Sequence, residues 1–227
     1  MQPAASAEAQ ARRRIRSRAL AIGLSVMPFG VSFGAVSVNG GLSVLQTCLL
    51  SLVLFSGASQ FALVSILGAG GTVGSALSTA LLLGVRNGLY GMRVRELVGP
   101  RGWRRGIAAQ VTIDESTAMA VTEAPGGHAG AAFWMTALSV YVLWNLSTVA
   151  GALLGSGLGS LSAAGLDAAG PAAFVALLGP RIDSGRMAAV AAVAAAVALL
   201  AVPVAPIGAP VLIGGIAAVA LLGARRR

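Results

Sequence analysis

Charged side chains are scarce in this chain, and lysine is absent from it. Only 10% of the 227 residues are charged, whereas a soluble domain carries about 25%. Three stretches, 19–85, 124–166 and 187–224, contain no Asp, Glu, Lys or Arg. With 56% hydrophobic residues and a mean hydropathy of +0.85, this composition excludes a soluble globular domain and predicts an all-α integral membrane protein.

Two further scarcities exclude other classes of protein. The only cysteine, Cys48, lies in an apolar run, so we expect neither an internal disulfide nor a multi-cysteine metal site. Aromatic residues make up 5% of the chain, whereas nucleic-acid surfaces combine basic residues with aromatic ones. Despite the net charge of +9, we expect no nucleic acid, no metal and no other cofactor.

The basic residues lie in short polar segments. All 16 are arginine, and all except Arg86 group at 12–18, 93–105, 181–186 and 225–227. Arginine in short loops and tails marks the cytoplasmic side of membrane helices. We therefore expect a cytoplasmic basic tail at 1–18, one transmembrane domain at 19–223 and a basic C-terminal tail at 224–227. The Ala-rich and Gly-rich composition suggests a bacterial inner membrane as the location, with the N-terminus in the cytoplasm.

Apolar segments separated by turns predict about seven transmembrane helices, since one crossing needs roughly 20 apolar residues. The segments are 19–38, 42–67, 72–92, 131–156, 158–179, 187–203 and 205–223. Residues 104–123 are too polar for a helix that faces lipid. They predict either an interfacial amphipathic helix or a polar helix inside the bundle.

The second segment is interrupted by Ser56, Gly57, Ala58, Ser59 and Gln60. Three full crossings before the Arg-rich loop would place that loop opposite the N-terminal arginines, against the positive-inside rule. A break at residues 56–59 would divide the segment into pieces of about 14 and 10 residues, each too short to span the bilayer. A re-entrant hairpin enters and leaves on one side of the membrane, so it would place the Arg-rich loop on the same side as the N-terminal arginines. Its exposed backbone must then line a cavity or be buried in protein.

A faint repeat has a period of about half the chain. The matches are Leu24, Ser25 and Val26 with Leu138, Ser139 and Val140, and Gly57 and Phe61 with Gly170 and Phe174. They predict an inverted repeat with possible halves 19–113 and 114–223, each with one interrupted helix, which is typical of a binding site at the membrane midplane.

Five ordered motifs resemble the AzlC family, the large subunit of branched-chain amino acid exporters. They are "PFGVSFGA" (28–35), "LFSGASQFALVSIL" (54–67), "VRNGLYG" (85–91), "TIDESTAMA" (112–120) and "AAGPAAFVALL" (168–178). The resemblance covers about residues 19–223.

That resemblance implies export of valine, leucine, isoleucine and related side chains such as methionine, driven by protons, together with a small AzlD-type membrane subunit. The chain departs from the family pattern beside its arginine, where Gly84 and Asn87 stand in place of the Asn and His expected there. No role of that histidine carries over.

The broken segment has the chemistry of a site for a zwitterion. Free N–H groups at a half-helix N-terminus suit a carboxylate, and unwound carbonyls suit an ammonium group or a coupling ion. We therefore expect substrate-binding residues at Ser56, Gly57, Ala58, Ser59, Gln60, Phe61, Asn145, Gly170 and Pro171. The alternative is that Gly57 and Ala58 only allow close helix packing.

Five residues are candidates for coupling or gating: Arg86, Asn87, Asp114, Glu115 and Asp167. Arg86 could hold a carboxylate or snorkel to the interface. Asp114 or Glu115 could carry a proton, because desolvation favours the neutral acid, or both could lie at a solvated helix start. Asp167 could instead cap a short helix.

Other residues predict local features. Pro28, Gly30 and Gly34 should kink and thin the first helix, and the single histidine, His128, should lie in a loop. Gly57-Ala58-Ser59 resembles the nucleophile motif of intramembrane serine proteases, but that chemistry needs a histidine base nearby, so we expect no enzyme. A passive channel or a structural subunit is the other alternative.

Overall fold

The computed structural model describes residues 2–157, 175, 178–179, 182–205 and 209–223. All regular structure in these residues is helical, as the composition predicts. The helices are α1 (Gln2–Asn39), α2 (Val44–Val53), α3 (Gly57–Gly68), α4 (Val73–Val98), α5 (Arg104–Gln110), α6 (Asp114–Glu123), α7 (Ala129–Gly157), α8 (Gly185–Ala201) and α9 (Ala209–Gly223). Within the described ranges, α1 (over Ser6–Asn39) and α7 are long and apolar enough to cross a membrane. The count of seven crossings stays a prediction.

Helices α1 and α7 form a parallel central pair. Gly23 of α1 lies against Ser139 of α7. Further along both helices, near their ends, the Asn39 amide donates to the Gly155 carbonyl, 3.4 Å away. We call the end that carries Arg12–Arg18 the basic end. The other end, where α1 and α7 finish, is the opposite end.

Small residues bring these two helices into backbone contact. A Cβ at Gly34 would overlap the Thr148 carbonyl, and one at Gly151 would overlap the Val31 carbonyl. This is the packing that small residues four apart permit between membrane helices. Helix α1 continues through Pro28, so the kink expected there stays a prediction.

The second apolar segment is a hairpin that enters from the opposite end. Helix α2 begins shortly after α1 ends, and the Ser37 and Thr47 hydroxyls are 2.8 Å apart. Helix α3 returns to the same end, where a Cβ at Gly68 would lie 3.1 Å from the Gly40 Cα. The re-entrant geometry that the charge pattern requires is therefore present.

The break in this hairpin lies slightly earlier than the sequence predicts. Leu54–Ser56 are non-helical, whereas Gly57 to Gln60 form the first turn of α3 rather than an unwound stretch. Ser56, directly before the helix, has an extended backbone with φ −156° and ψ 103°, and its side chain makes no capping hydrogen bond.

A second hairpin, α5 and α6, enters from the basic end. Its break is at Val111–Ile113, and its last residue, Glu123, is paired with Arg14 (2.7 Å) and Arg18 (3.0 Å) of α1. Residues 104–123 are therefore two short helices separated by a break rather than one interfacial helix; half of α6 is buried, whereas Ala108 is the only buried residue of α5.

The tips of the two hairpins meet. The Gln110 amide, at the end of α5, donates to the carbonyls of Leu52 (2.8 Å) and Val53 (2.9 Å), at the end of α2. Val94, Ala108 and Phe133 cluster towards the basic end, so the Arg-rich loop after α4 lies at the same end as the N-terminal arginines.

The two hairpins occur in units with the same order of elements. The order short helix, break, short helix, long helix occurs in α2–α3–α4 and again in α5–α6–α7, with the second unit entering from the other end. Helices α3 and α6 start at residues 57 and 114, so the period is 57 residues, half the spacing of the sequence matches. The division at 113 and 114 stays a prediction, and in the described residues it falls beside the second break.

Candidate functional site

A cavity of about 290 Å³ lies where the hairpin tips meet the middles of α1, α4 and α7. It collects residues that are far apart in the sequence. Of the residues predicted for substrate binding or coupling, it is lined by Ser56, Gly57, Ala58, Phe61, Arg86, Asn87, Asp114 and Glu115. Predicted substrate and coupling residues thus share one site.

An ion pair crosses the cavity. The Arg86 guanidinium Nη1 is 3.0 Å from Asp114 Oδ2, with side chains 37% and 24% exposed in the described structure. Arg86 lies near the middle of the 26-residue α4, so it is far from either end of that helix. This position does not fit a side chain that snorkels to an interface. Glu115 is the other carboxylate on the cavity lining.

Two helix N-termini converge on the cavity. Residues of the first turns of α3 and α6 line it, and first-turn N–H groups have no acceptor inside their own helix. Neither N-cap residue, Ser56 or Ile113, has a side-chain hydrogen bond that caps the helix. The partial positive charge of both N-termini therefore faces the same space.

Several polar atoms at the cavity are unused. In the part of the chain that the structure describes, the Ser56 hydroxyl, Arg86 Nε and Asn87 Oδ1 are buried without a hydrogen-bond partner. Buried polar groups are normally paired. The three atoms therefore offer donors and an acceptor to a polar ligand.

The backbone carbonyls at the end of α2 and in the first break accept hydrogen bonds from side chains. Gln60 Nε2 donates to the Leu54 carbonyl at 2.7 Å and to the Ser51 carbonyl at 3.4 Å. The Tyr141 hydroxyl donates to the Leu52 carbonyl, 3.2 Å away, which Gln110 also contacts. The carbonyls of Ser51, Leu52, Val53 and Leu54, where an ammonium group or a coupling ion was expected, therefore already accept hydrogen bonds.

Not every predicted site residue reaches the cavity. The Ser59 hydroxyl donates to the Ala80 carbonyl at 2.9 Å, and the Asn145 amide donates to the Tyr141 carbonyl at 2.8 Å. Gln60 is fully buried and lies behind the cavity wall. Asp167, Gly170 and Pro171 lie outside the described residues, as does Phe174.

The protease alternative gains no support from the described geometry. His128 Nε2 lies 3.6 Å from Glu8 Oε2 at the basic end, whereas the Ser59 hydroxyl donates to a backbone carbonyl in the hairpin. The described residues therefore do not bring the nucleophile and base of that chemistry together.

Apart from Phe61 and Trp144, the apolar side of the cavity was not predicted from the sequence. Its wall includes Val26, Phe29, Phe55, Leu83, Val140 and Trp144. Val26 and Phe29 are three residues apart, a spacing that places them on one face of α1, and Phe33 continues that face behind Trp144 at a ring distance of 6.4 Å. This helical spacing was the signal available in the sequence.

Comparison with known proteins identifies the family. The model of the AzlC protein family matches residues 21–158, a range that holds both hairpins and both breaks. The chain belongs to the AzlC family. Its motifs therefore indicated the correct relatives.

Named relatives of this AzlC protein are membrane proteins. The inner membrane protein YgaZ of Escherichia coli (strain K12) is 31% identical over 148 residues, which are 61% of this chain and 59% of YgaZ. Uncharacterized membrane proteins of Helicobacter pylori strains J99 and 26695 are each 24% identical over 139 residues, 60% of this chain and 61% of theirs. The chain thus matches about six tenths of the length of each. No solved structure matches it.

The family and the named relatives indicate that this chain is a membrane protein with a role related to transport. A transporter family also argues against an enzyme.

Proposed function

We propose that this AzlC protein is a secondary transporter that exports valine, leucine, isoleucine and methionine in exchange for protons. The observation that carries the proposal is the cavity at the meeting point of the two inverted hairpins, which combines an Arg86–Asp114 ion pair with an apolar wall. A small AzlD-type membrane subunit is the proposed partner, and that part rests on the family resemblance.

The cavity has a matching group for each part of an aliphatic amino acid. Arg86 and the N-terminus of α3 can bind the carboxylate, because both are positive and present N–H donors. Asp114 or Glu115 can bind the ammonium group. The side chain then faces Phe29 and the aromatic rings opposite it. A zwitterion inserted between Arg86 and Asp114 would replace their mutual pairing with two new ion pairs and keep the site neutral.

This insertion supplies a mechanism for exchange with protons. The ammonium group and a proton compete for the same carboxylate on Asp114, so a proton that reaches the cavity weakens substrate binding. Mutually exclusive binding of two ligands is the requirement for antiport by alternating access. Glu115 is the second candidate for this carboxylate.

The proposed location is the bacterial inner, or plasma, membrane, in a multi-pass arrangement with a cytoplasmic N-terminus. Two groups of arginine, at 12–18 and 93–105, lie at the basic end of the bundle. Their position at one end supports a cytoplasmic orientation of that end. The hairpins would then approach the cavity from the two sides of the membrane.

Counterflow of labelled leucine into proteoliposomes tests this proposal, with the protein reconstituted alone and with an AzlD-type subunit. We expect saturable uptake against excess internal leucine, competed by valine, isoleucine and methionine, and net flux that follows an imposed pH gradient. Absence of saturable exchange with every aliphatic amino acid, with the subunit present, would contradict it. Flux that ignores the pH gradient would favour the passive channel.

A further inference from the structure

Gln60 connects the helix break to the wall of the cavity. Its Nε2 donates to the Leu54 carbonyl, 2.7 Å away, in the break. Its Oε1 accepts a hydrogen bond of 3.0 Å from the Trp144 indole Nε1. Gln60 has no exposed surface, so a single buried amide bonds the broken backbone on one side and a residue of the cavity wall on the other.

Trp144 is held on three sides. Besides the hydrogen bond from its Nε1, the indole stacks on the Phe33 ring with an interplanar angle of 25°. Its edge lies against Gly57, where an added Cβ would be 3.0 Å from Trp144 Cη2. Buried aromatic side chains with a satisfied polar end and ring contacts have little rotational freedom. The indole therefore presents a fixed surface to the cavity.

We propose that Gln60 is a positioning residue for Trp144, and that the positioned indole limits the size of the side chain that the transporter accepts. The inference rests on the proposed function, because it deepens the account of the same cavity. The indole, Gly57 and Phe61 all line the cavity, so a branched aliphatic chain would meet a flat apolar surface while a larger aromatic ring would meet an obstruction.

Gln110 provides a matched control for this role. It is also a glutamine at a hairpin tip, and its Nε2 also donates to carbonyls at the end of α2, those of Leu52 and Val53. It does not line the cavity, and its described hydrogen bonds do not involve Trp144. Gln110 is exposed whereas Gln60 is fully buried, so the readout that separates positioning from a merely structural role is the preference between substrates rather than the size of the loss.

The experiment compares Gln60→Met with Gln110→Met in the full chain, reconstituted with the subunit. Counterflow KM and maximal rate are measured for leucine and for phenylalanine. We expect Gln60→Met to raise the leucine KM up to about five- to tenfold, because loss of one buried hydrogen bond lowers the population of the indole position that leucine binds, with a smaller change in maximal rate. The ratio of phenylalanine to leucine uptake should rise only in this variant. Equal KM values and equal uptake ratios in the two variants would overturn the proposal.

Trp144→Phe is the second variant, because it leaves the bonds from Gln60 to the α2 carbonyls in place. It removes the indole edge that limits the cavity, so phenylalanine uptake should increase relative to leucine even if Gln60→Met does not fold. An unchanged preference in this variant would contradict a size limit set by Trp144.

Fluorescence separates this inference from the proposed function. In a chain with Trp103→Phe and Trp134→Phe, Trp144 is the only tryptophan, and its emission needs no transport. We expect Gln60→Met, and not Gln110→Met, to shift that emission and increase its quenching by acrylamide. No shift would overturn the positioning role whatever the transport result, whereas absent leucine counterflow in the wild type would overturn the proposed function alone.

Discussion

The Arg86–Asp114 pair gives the sharpest test of how the cavity binds its substrate. If a zwitterion inserts between the two side chains, Arg86→Gln removes the partner of its carboxylate and Asp114→Asn removes the partner of its ammonium group. The ligands that distinguish these roles are leucine, leucinol, which lacks the carboxylate, and 4-methylpentanoate, which lacks the ammonium group.

The geometry sets the expected magnitude. The two side chains are 3.0 Å apart and are between one quarter and two fifths exposed, so water reduces their interaction without abolishing it. A hydrogen bond to a charged group contributes about 1.5–3 kcal/mol, and about 1.4 kcal/mol corresponds to a tenfold change in affinity. Each single substitution should therefore raise the leucine KM by about 10- to 100-fold. The double variant should lose less than the sum, because contacting residues couple by roughly 0.5–3 kcal/mol.

Competition against labelled leucine counterflow measures these effects. Arg86→Gln should weaken 4-methylpentanoate as an inhibitor and affect leucinol little, whereas Asp114→Asn should do the reverse and remove the dependence of flux on the pH gradient. Arg93→Gln is the control, because Arg93 lies on the same helix and pairs with Glu96 at 2.7 Å but does not line the cavity. Equal losses for both analogues in both variants would refute insertion between the charges.

Two further predictions concern stability in detergent. Gly151→Ala should lower the unfolding temperature, because the new Cβ would overlap the Val31 carbonyl and overpacking costs roughly 1–3 kcal/mol. Gly130→Ala on the same helix is the control. A Cβ at Gly130 would have no neighbouring atom within 4 Å, so the unfolding temperature should be unchanged or slightly higher. Glu123→Gln should destabilise by about 1–3 kcal/mol because a buried carboxylate loses two arginine partners, whereas Glu96→Gln should change little, since its ion pair is exposed. Equal unfolding temperatures within either pair of variants would contradict the corresponding prediction.

Much of the first hairpin could be predicted because it leaves two independent signals in the sequence. Small and polar residues from Ser56 to Gln60 interrupt an apolar run. In addition, the Arg-rich loop after α4 lies on the same side as the N-terminal arginines only if the second apolar segment enters and leaves the membrane on one side. Composition locates the interruption to within a few residues. It does not locate the helix start, because an N-cap depends on the dihedral angles of one residue, here Ser56.

The second hairpin was not predicted, for a physical reason. Polar residues in 104–123 obscure the apolar pattern from which membrane segments are read, and the second half of the segment, α6, packs against α4 and α7. Its buried charge, Glu123, is stabilised by Arg14 and Arg18 from the other end of the sequence. Such a contact has no local signal. The apolar wall of the cavity also lacks a local signal, because its members come from α1, α4, α7 and the first break and meet only in the folded chain.

The common order of elements in the two hairpin units leaves only a weak signal in the sequence. Each unit supplies a short helix whose N-terminus reaches the cavity, and the positive end of a helix arises from backbone N–H groups rather than from particular side chains. The two first turns can therefore diverge: one begins with Gly57 and Ala58, and the other with Asp114 and Glu115. That divergence suits the proposed function, because identical tips would offer a zwitterion the same charge twice. One neutral tip and one acidic tip, with Arg86 between the units, give its carboxylate and its ammonium group different partners in a single cavity.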